Sequence, residues 1–257
     1  MSLPLHHRVT GQGAPLILLH GLFGSLENLG GLAQRLADSW QVHALDLRNH
    51  GRSPHSDTFT YAAMAADVLA YMDAQGLSQA SLVGHSMGGK TAMTLALQAP
   101  QRVGRLVVLD IAPVTYPPHH DAILEGLAAL NPAALASRDA ADQQLRAWVP
   151  ETAVRQFLLK NLQRAGTGGF AWRLNLPVIA RCYAEILKGQ HGTHRFDGPV
   201  LFVKGGDSAY LQARHQAEVM ALFPQAQMKV VPGTGHWLHA EKPDLVATVV
   251  RRFLASP

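Results

Sequence analysis

Ala80-Ser81-Leu82-Val83-Gly84-His85-Ser86-Met87-Gly88-Gly89-Lys90-Thr91-Ala92-Met93-Thr94-Leu95-Ala96-Leu97 is the stretch that decides the fold of this chain. Residues 80–83 are a short apolar run of strand type, and residues 89–97 carry apolar side chains at helical spacing. Between them stands Gly-x-Ser-x-Gly, the signature of a sharp strand-to-helix elbow that lifts a serine hydroxyl out of a sheet. The turn is so tight that its flanking positions tolerate almost no side chain, which makes Gly84 and Gly88 a steric requirement. At average composition such a pattern arises by accident in roughly one chain in ten of this length. A strand before it and a helix after it remove most accidents, so Ser86 is the candidate nucleophile.

The rest of the first half repeats the rhythm. Leu16–Leu19 and Leu106–Leu109 read as short, wholly apolar strands, and Val42–Leu45 as a further strand. Leu29–Asp38, Tyr61–Gln75 and the segment from the elbow to Ala99 read as helices; the second has apolar residues at Met64, Val68, Leu69 and Met72. Pro100 ends the elbow helix. Wholly apolar strands separated by helices imply a mostly parallel sheet covered by helices on both faces. The rhythm breaks after Asp110. Residues 113–195 offer no convincing strand, only helical segments near 119–130, 139–147, 151–164 and 176–188, broken by prolines and by Gly166–Gly169. It returns with strands at Val200–Val203 and Met228–Val231, a helix over 209–222 and a last helix from Asp244. The order predicts one α/β core built from residues 1–112 and 196–257, with 113–195 inserted as a helical lid.

A chain of 257 residues, 47% hydrophobic and 16% charged, suits one globular domain with an insertion. A formal net charge of +4 with no block of five or more Lys/Arg is not a nucleic-acid signal, and no nucleic-acid partner is expected. Cys182 is the only cysteine, which excludes an intrachain disulfide and a cysteine zinc site and fits a reducing compartment. No apolar run approaches a membrane span, and Met1–His7 lacks the apolar core of a signal peptide. The expectation is a soluble cytoplasmic protein with no membrane partner. His6-His7 and His119-His120-Asp121 lack metal-site spacing, and no Gly-x-Gly-x-x-Gly follows a strand, so neither a metal nor a nucleotide cofactor is expected.

A serine hydroxyl needs a base to take its proton and a third group to orient that base. After an elbow serine, the acid and then the histidine follow in chain order. Gly233-Thr234-Gly235-His236 comes directly after the final strand, and its two glycines let the loop bend back over the sheet. That makes His236 the candidate base, while His239 reads as structural. Two aspartates compete as the acid: Asp207, after the strand Val200–Val203, and Asp110, at the end of Leu106–Leu109. Both lie at C-terminal strand ends, where an open α/β sheet builds its site, and the one not used reads as a cap. The oxyanion of acyl transfer needs two preorganised N–H donors. These fall to Met87, just after the nucleophile, and to Leu22 in the glycine-rich loop His20-Gly21-Leu22-Phe23-Gly24.

With these stretches in view the chain resembles α/β-hydrolase esterases. It is especially similar to the small bacterial acyl esterase/thioesterase group related to the eleventh abhydrolase-domain protein of animals. The resemblance rests on His20-Gly21-Leu22-Phe23-Gly24-Ser25, on Asp46-Leu47-Arg48-Asn49-His50-Gly51-Arg52-Ser53-Pro54 and on the elbow. Asp110-Ile111-Ala112-Pro113, Trp172-Arg173-Leu174-Asn175-Leu176-Pro177 and Gly235-His236-Trp237 extend it over nearly the whole chain. It implies an α/β-hydrolase fold and cofactor-free hydrolysis of small-molecule carboxylic esters, with acyl-CoA thioesters as a further class. It carries Ser86 and His236 over as nucleophile and base and favours Asp110 as the acid, with Ser208 as an auxiliary hydrogen-bonding residue. The chain departs from that group in having Asp207 within Gly205-Gly206-Asp207-Ser208.

Ser86 excludes the dehalogenases and epoxide hydrolases of this fold, which need an aspartate at the elbow. Carbon–carbon hydrolases, cofactor-free haloperoxidases and a ligand-binding protein with a vestigial triad remain as alternatives. The substrate-binding candidates are Phe23 and Trp237 beside the site and Trp172 and Tyr183 in the inserted segment. Trp148, Phe157, Leu158, Phe170, Leu176 and Ile179 of that segment either line an acyl pocket or form its own core. Short to medium acyl chains are expected.

Overall fold

Alternate side chains of a strand point to opposite faces, and here both faces are apolar. Leu16 and Leu18 join one core cluster, Ile17 and Leu19 the other. Leu106 and Val108 divide from Val107 and Leu109 in the same way, as do Val200 and Phe202 from Leu201 and Val203. Fully burying one such side chain is worth about 1.5–3 kcal/mol. A slip of one residue would exchange the two sets, so burial pins the register.

The computed structural model describes residues 2–166, 168–190 and 194–256. Among these the strands are β1 (His7–Thr10), β2 (Ala14–Leu19), β3 (Trp40–Leu45), β4 (Ala80–His85), β5 (Val103–Leu109), β6 (Leu162–Arg164), β7 (Phe170–Trp172), β8 (Val200–Gly205) and β9 (Ala226–Val231). Seven form one sheet in the order β1-β3-β2-β4-β5-β8-β9. β1 runs antiparallel to β3, and every other pairing in the sheet is parallel. Helices Gly30–Leu36 and Pro243–Leu254 cover one face; Tyr61–Ala74, Met87–Gln98 and Gln216–Leu222 cover the other. The sequence pattern does not signal β1, because an exposed edge strand carries no apolar run.

Two other expectations need correction. The helix predicted over 209–222 begins only at Gln216, after a short turn at Ala213–His215; residues 208–212 form a loop that reaches the site instead. Within 113–195 the helices are Asp121–Ala129, Arg138–Leu145, Thr152–Leu159, Leu176–Arg181 and Tyr183–Leu187, but β6 and β7 also pair as an antiparallel hairpin. Strands of three residues are too short to display alternation in sequence. The Gly166–Gly169 break supplies their turn, of which Thr167 lies outside the described residues.

Leu127, Leu145 and Leu158 of the inserted segment share the cluster of Ile17 and Leu82, so the insertion packs onto one sheet face. Lys90 pins both its ends to the elbow helix. Its buried ammonium donates to the carbonyls of Val114, Leu187 and Lys188 at 2.8, 3.2 and 2.6 Å. Burial pushes its pKa down to about 7. Among the described residues no helix is long and apolar enough to cross a membrane.

Candidate active site

β4 ends at His85 and the helix Met87–Gln98 begins one residue later, leaving Ser86 as the hinge at φ +52° and ψ −117°. That conformation is strained for a residue with a Cβ and persists only where its surroundings hold it. The Ser86 N–H donates to the Leu109 carbonyl at 3.1 Å, and the Ser86 carbonyl accepts from the Lys90 N–H at 3.0 Å. A Cβ on Gly84 would lie 2.3 Å from the Gly88 carbonyl oxygen, and one on Gly88 would lie 2.2 Å from that of Leu19. Both contacts are with backbone, so neither glycine can be replaced without moving the elbow.

Asp110 stands one residue past β5, fully buried and also left-handed at φ +53°. Its N–H donates to Val203 O at 2.9 Å. Its Oδ1 accepts from the Gly205 N–H at 2.9 Å, and its Oδ2 accepts from His236 Nδ1 at 2.8 Å and from the Ser208 hydroxyl. His236 comes from the loop after β9, so the contact must pass over the end of β8. Gly205 makes this passage: a Cβ there would lie 2.1 Å from Gly235 O. Asp207 is exposed, with its backbone N–H donated to Thr234 O at 2.9 Å. Of the two candidate aspartates, His236 meets Asp110, and Ser208 meets the same carboxylate.

With Nδ1–H donated, a neutral His236 keeps the lone pair of Nε2 free in the cavity it shares with Ser86. Tyr210 stacks on the imidazole at 3.9 Å between centroids and 22° between planes. The Tyr210 hydroxyl bonds His119 Nε2 at 2.6 Å, while its carbonyl accepts from the Tyr116 hydroxyl. From below, His85 Nε2–H donates to the His236 carbonyl at 2.9 Å. Sequence reasoning missed Tyr210 and His85. Tyr210 had no spacing signal; His85 did have one, its place beside the nucleophile.

The oxyanion candidates are equally braced. Among the described residues no hydrogen bond engages the N–H of Leu22 or of Met87, so both remain available as donors. Phe23, left-handed at φ +60°, gives its N–H to His50 Nε2 at 3.2 Å and its carbonyl to Asn161 Nδ2 at 2.7 Å. His50 Nδ1 donates to Arg48 O at 2.9 Å, while His20 bonds Gly21 O at 2.8 Å and the Leu47 N–H at 3.0 Å. Arg48 is held in a buried pair with Asp67 at 2.7 Å. The Arg-Asn-His-Gly stretch thus braces the loop that carries Leu22.

Ser86 and His236 line a cavity of about 430 Å³. Phe23 and Trp237 line it as expected, and so do Trp148, Phe157 and Leu158 of the insertion. Trp172 does not. It closes the β6–β7 hairpin opposite Leu162 and packs against the core, because alternation within so short a strand turns it away from the cleft. Tyr183 lines a second, smaller cavity beside Ser86, with its hydroxyl held by the N–H groups of His119 and His120 and by His120 Nδ1. Burial pushes His120 down to about 3, His239 to about 4 and His85 well below the usual imidazole range. Among the described residues no group of three or more His, Cys, Asp or Glu side chains is placed to hold a metal ion.

Comparison with known proteins adds a lineage to this geometry. The profile of the alpha/beta hydrolase fold family matches residues 14–243. The chain is 44% identical over 265 residues to the sn-1-specific diacylglycerol lipase ABHD11 of Mus musculus, covering 98% of this chain and 86% of the relative. It is 41% identical over 244 residues to the esterase YbfF of Escherichia coli K12, covering 95% and 94%. A solved marine microorganism esterase superposes with a TM-score of 0.96 at 37% identity, over 98% of this chain and all of that one.

Proposed function

The chain belongs to the α/β-hydrolase family and is an ester hydrolase, and on that premise we propose that it works through an acyl-enzyme on Ser86. The substrates are carboxylic esters of short to medium acyl chains, with acyl-CoA thioesters as a second class. The observation that carries the proposal is the 2.8 Å bond from His236 Nδ1 to buried Asp110, in a cavity shared with Ser86.

In the first half-reaction His236 Nε2 takes the hydroxyl proton as Ser86 Oγ bonds to the carbonyl carbon. The carbonyl electrons move onto oxygen, and the N–H groups of Leu22 and Met87 hold the oxyanion. Its collapse breaks the bond to the alcohol oxygen, which receives the proton from His236. Water then repeats the sequence and releases the acid and free Ser86. Asp110 keeps His236 in the Nδ1–H tautomer and stabilises the imidazolium, and Ser208 orients Asp110. Residues 113–195 act as a lid that walls the cavity above the core of 1–112 and 196–257. The single cysteine supports a reducing, cytoplasmic location.

A panel of p-nitrophenyl esters and acyl-CoAs, assayed with wild type and Ser86→Ala, tests the proposal. Serine-dependent turnover of at least one acyl class is expected; equal rates for the two proteins on every substrate would sink it.

A further inference from the structure

Two cavities of very different size meet at Ser86. We propose that they divide the substrate: the small one takes a short, uncharged acyl group, and the large one takes the alcohol. This rests on the acyl-enzyme reading above and narrows its substrates.

The chemistry assigns the sides. When the Ser86 Oγ–carbon bond has formed, the bond to the alcohol oxygen must break beside the nitrogen that returns the proton. That nitrogen belongs to His236, and His236 lines the large cavity but not the small one. The alcohol therefore lies in the large cavity, against His236 and Trp237. The oxyanion points at the N–H groups of Leu22 and Met87. The acyl chain takes the remaining direction, away from His236, where the small cavity opens with Leu22 and Met87 in its wall.

Size then sets the limits. The large cavity holds about 430 Å³ and the small one about 30 Å³. On one and the same measure the small cavity has less than a tenth of the room of the large one, so it takes the shorter group and is the first to be overfilled as its occupant lengthens. Its walls are tied in place. The Tyr61 hydroxyl donates to Ile186 O at 2.6 Å, the Tyr183 hydroxyl is held by His119 and His120, and the Lys90 ammonium is shared among three carbonyls. Those polar groups are spent on each other, which leaves Ile111, Ile186 and Leu187 as apolar lining. A charged acyl tail finds no free partner there.

The test is kcat/KM for two series. One varies the acyl chain at a fixed leaving group, p-nitrophenyl acetate, propanoate, hexanoate and octanoate. The other varies the alcohol at fixed acyl, with ethyl, hexyl and octyl acetates followed by acid release. The first series falls at least about tenfold from propanoate to hexanoate, the lower end for methylenes a pocket cannot hold. The second rises by roughly fourfold per early methylene, the worth of one buried CH₂. Ile186→Ala, or Ile186→Val should the first not fold, lengthens the preferred acyl chain and leaves the alcohol series unmoved. Phe157→Ala flattens the alcohol series alone. Octanoate turned over as well as acetate by wild type, or an acyl profile that answers to Phe157 and not to Ile186, would overturn the division. If Ser86→Ala abolishes that activity, only the division fails; if Ser86→Ala matches wild type throughout, the acyl-enzyme on Ser86 fails with it.

Discussion

Asp110→Asn changes one atom at the point where three hydrogen bonds converge. The Asp110 Oδ1 accepts from the Gly205 N–H at 2.9 Å, so an amide must put its oxygen there and its NH₂ at the Oδ2 position. The NH₂ then faces His236 Nδ1, which today donates to Oδ2 across 2.8 Å. Two donors cannot share that bond. The imidazole turns to the Nε2–H tautomer, and the nitrogen facing the serine loses its lone pair. The loss expected for a wrong tautomer is about 10⁴ in kcat, or about 5 kcal/mol of barrier. Burst-free steady-state kinetics on p-nitrophenyl acetate give the ratio, with KM changing little. Asp207→Asn is the control and stays within about twofold, because that carboxyl is exposed. Ser208→Ala removes one bond to Asp110 without touching the tautomer and costs about tenfold. A loss under tenfold for Asp110→Asn, or a 10⁴ loss for Asp207→Asn, would refute the assignment of the acid.

Gly88→Ala should lower stability by more than about 3 kcal/mol, since its Cβ meets backbone at 2.2 Å. Gly30→Ala, helical at φ −57° with nothing within 4 Å of its Cβ, should be neutral or stabilising by up to about 1 kcal/mol; equal thermal shifts for the two would contradict this. His50→Leu removes the acceptor of the Phe23 N–H and lets the Leu22 donor drift. The expected result is a loss of about tenfold or more in kcat at near-constant KM, and unchanged kcat would refute the bracing role. Burial holds His20 and His239 at about 4, below the 6.5 of an unfolded imidazole. Below pH 6.5 the unfolded chain therefore binds more protons, and stability falls with pH by about 1.4 kcal/mol per unit for each such histidine, levelling off near pH 4. Urea unfolding at pH 7, 6 and 5 reads this directly, and a flat profile would exclude it.

The parallel core was legible in the sequence because its strands are apolar on both faces, so even short runs such as Leu16–Leu19 stand out. The elbow was legible because its glycines answer to backbone contacts that no other residue survives. The acid was not decided by position, since Asp110 and Asp207 both follow strands. What separates them is that Gly205 lets the β9 loop close over β8, a contact between segments far apart in the chain. Tyr210 was hidden for a similar reason: its stacking on His236 depends on residues 208–212 leaving the helical pattern that their composition suggests. Trp172 misled because an aromatic residue in a cap segment reads the same whether it faces a cleft or a core.

Labelling by an alkyl fluorophosphonate, followed by peptide mass spectrometry, bears most directly on the proposed acyl-enzyme. A stoichiometric adduct on the peptide containing Gly84-His85-Ser86-Met87-Gly88, located on Ser86 and slowed on the order of 10³-fold or more in His236→Gln, is the expected result. An active enzyme that takes no adduct, or takes it on a residue other than Ser86, would contradict the mechanism.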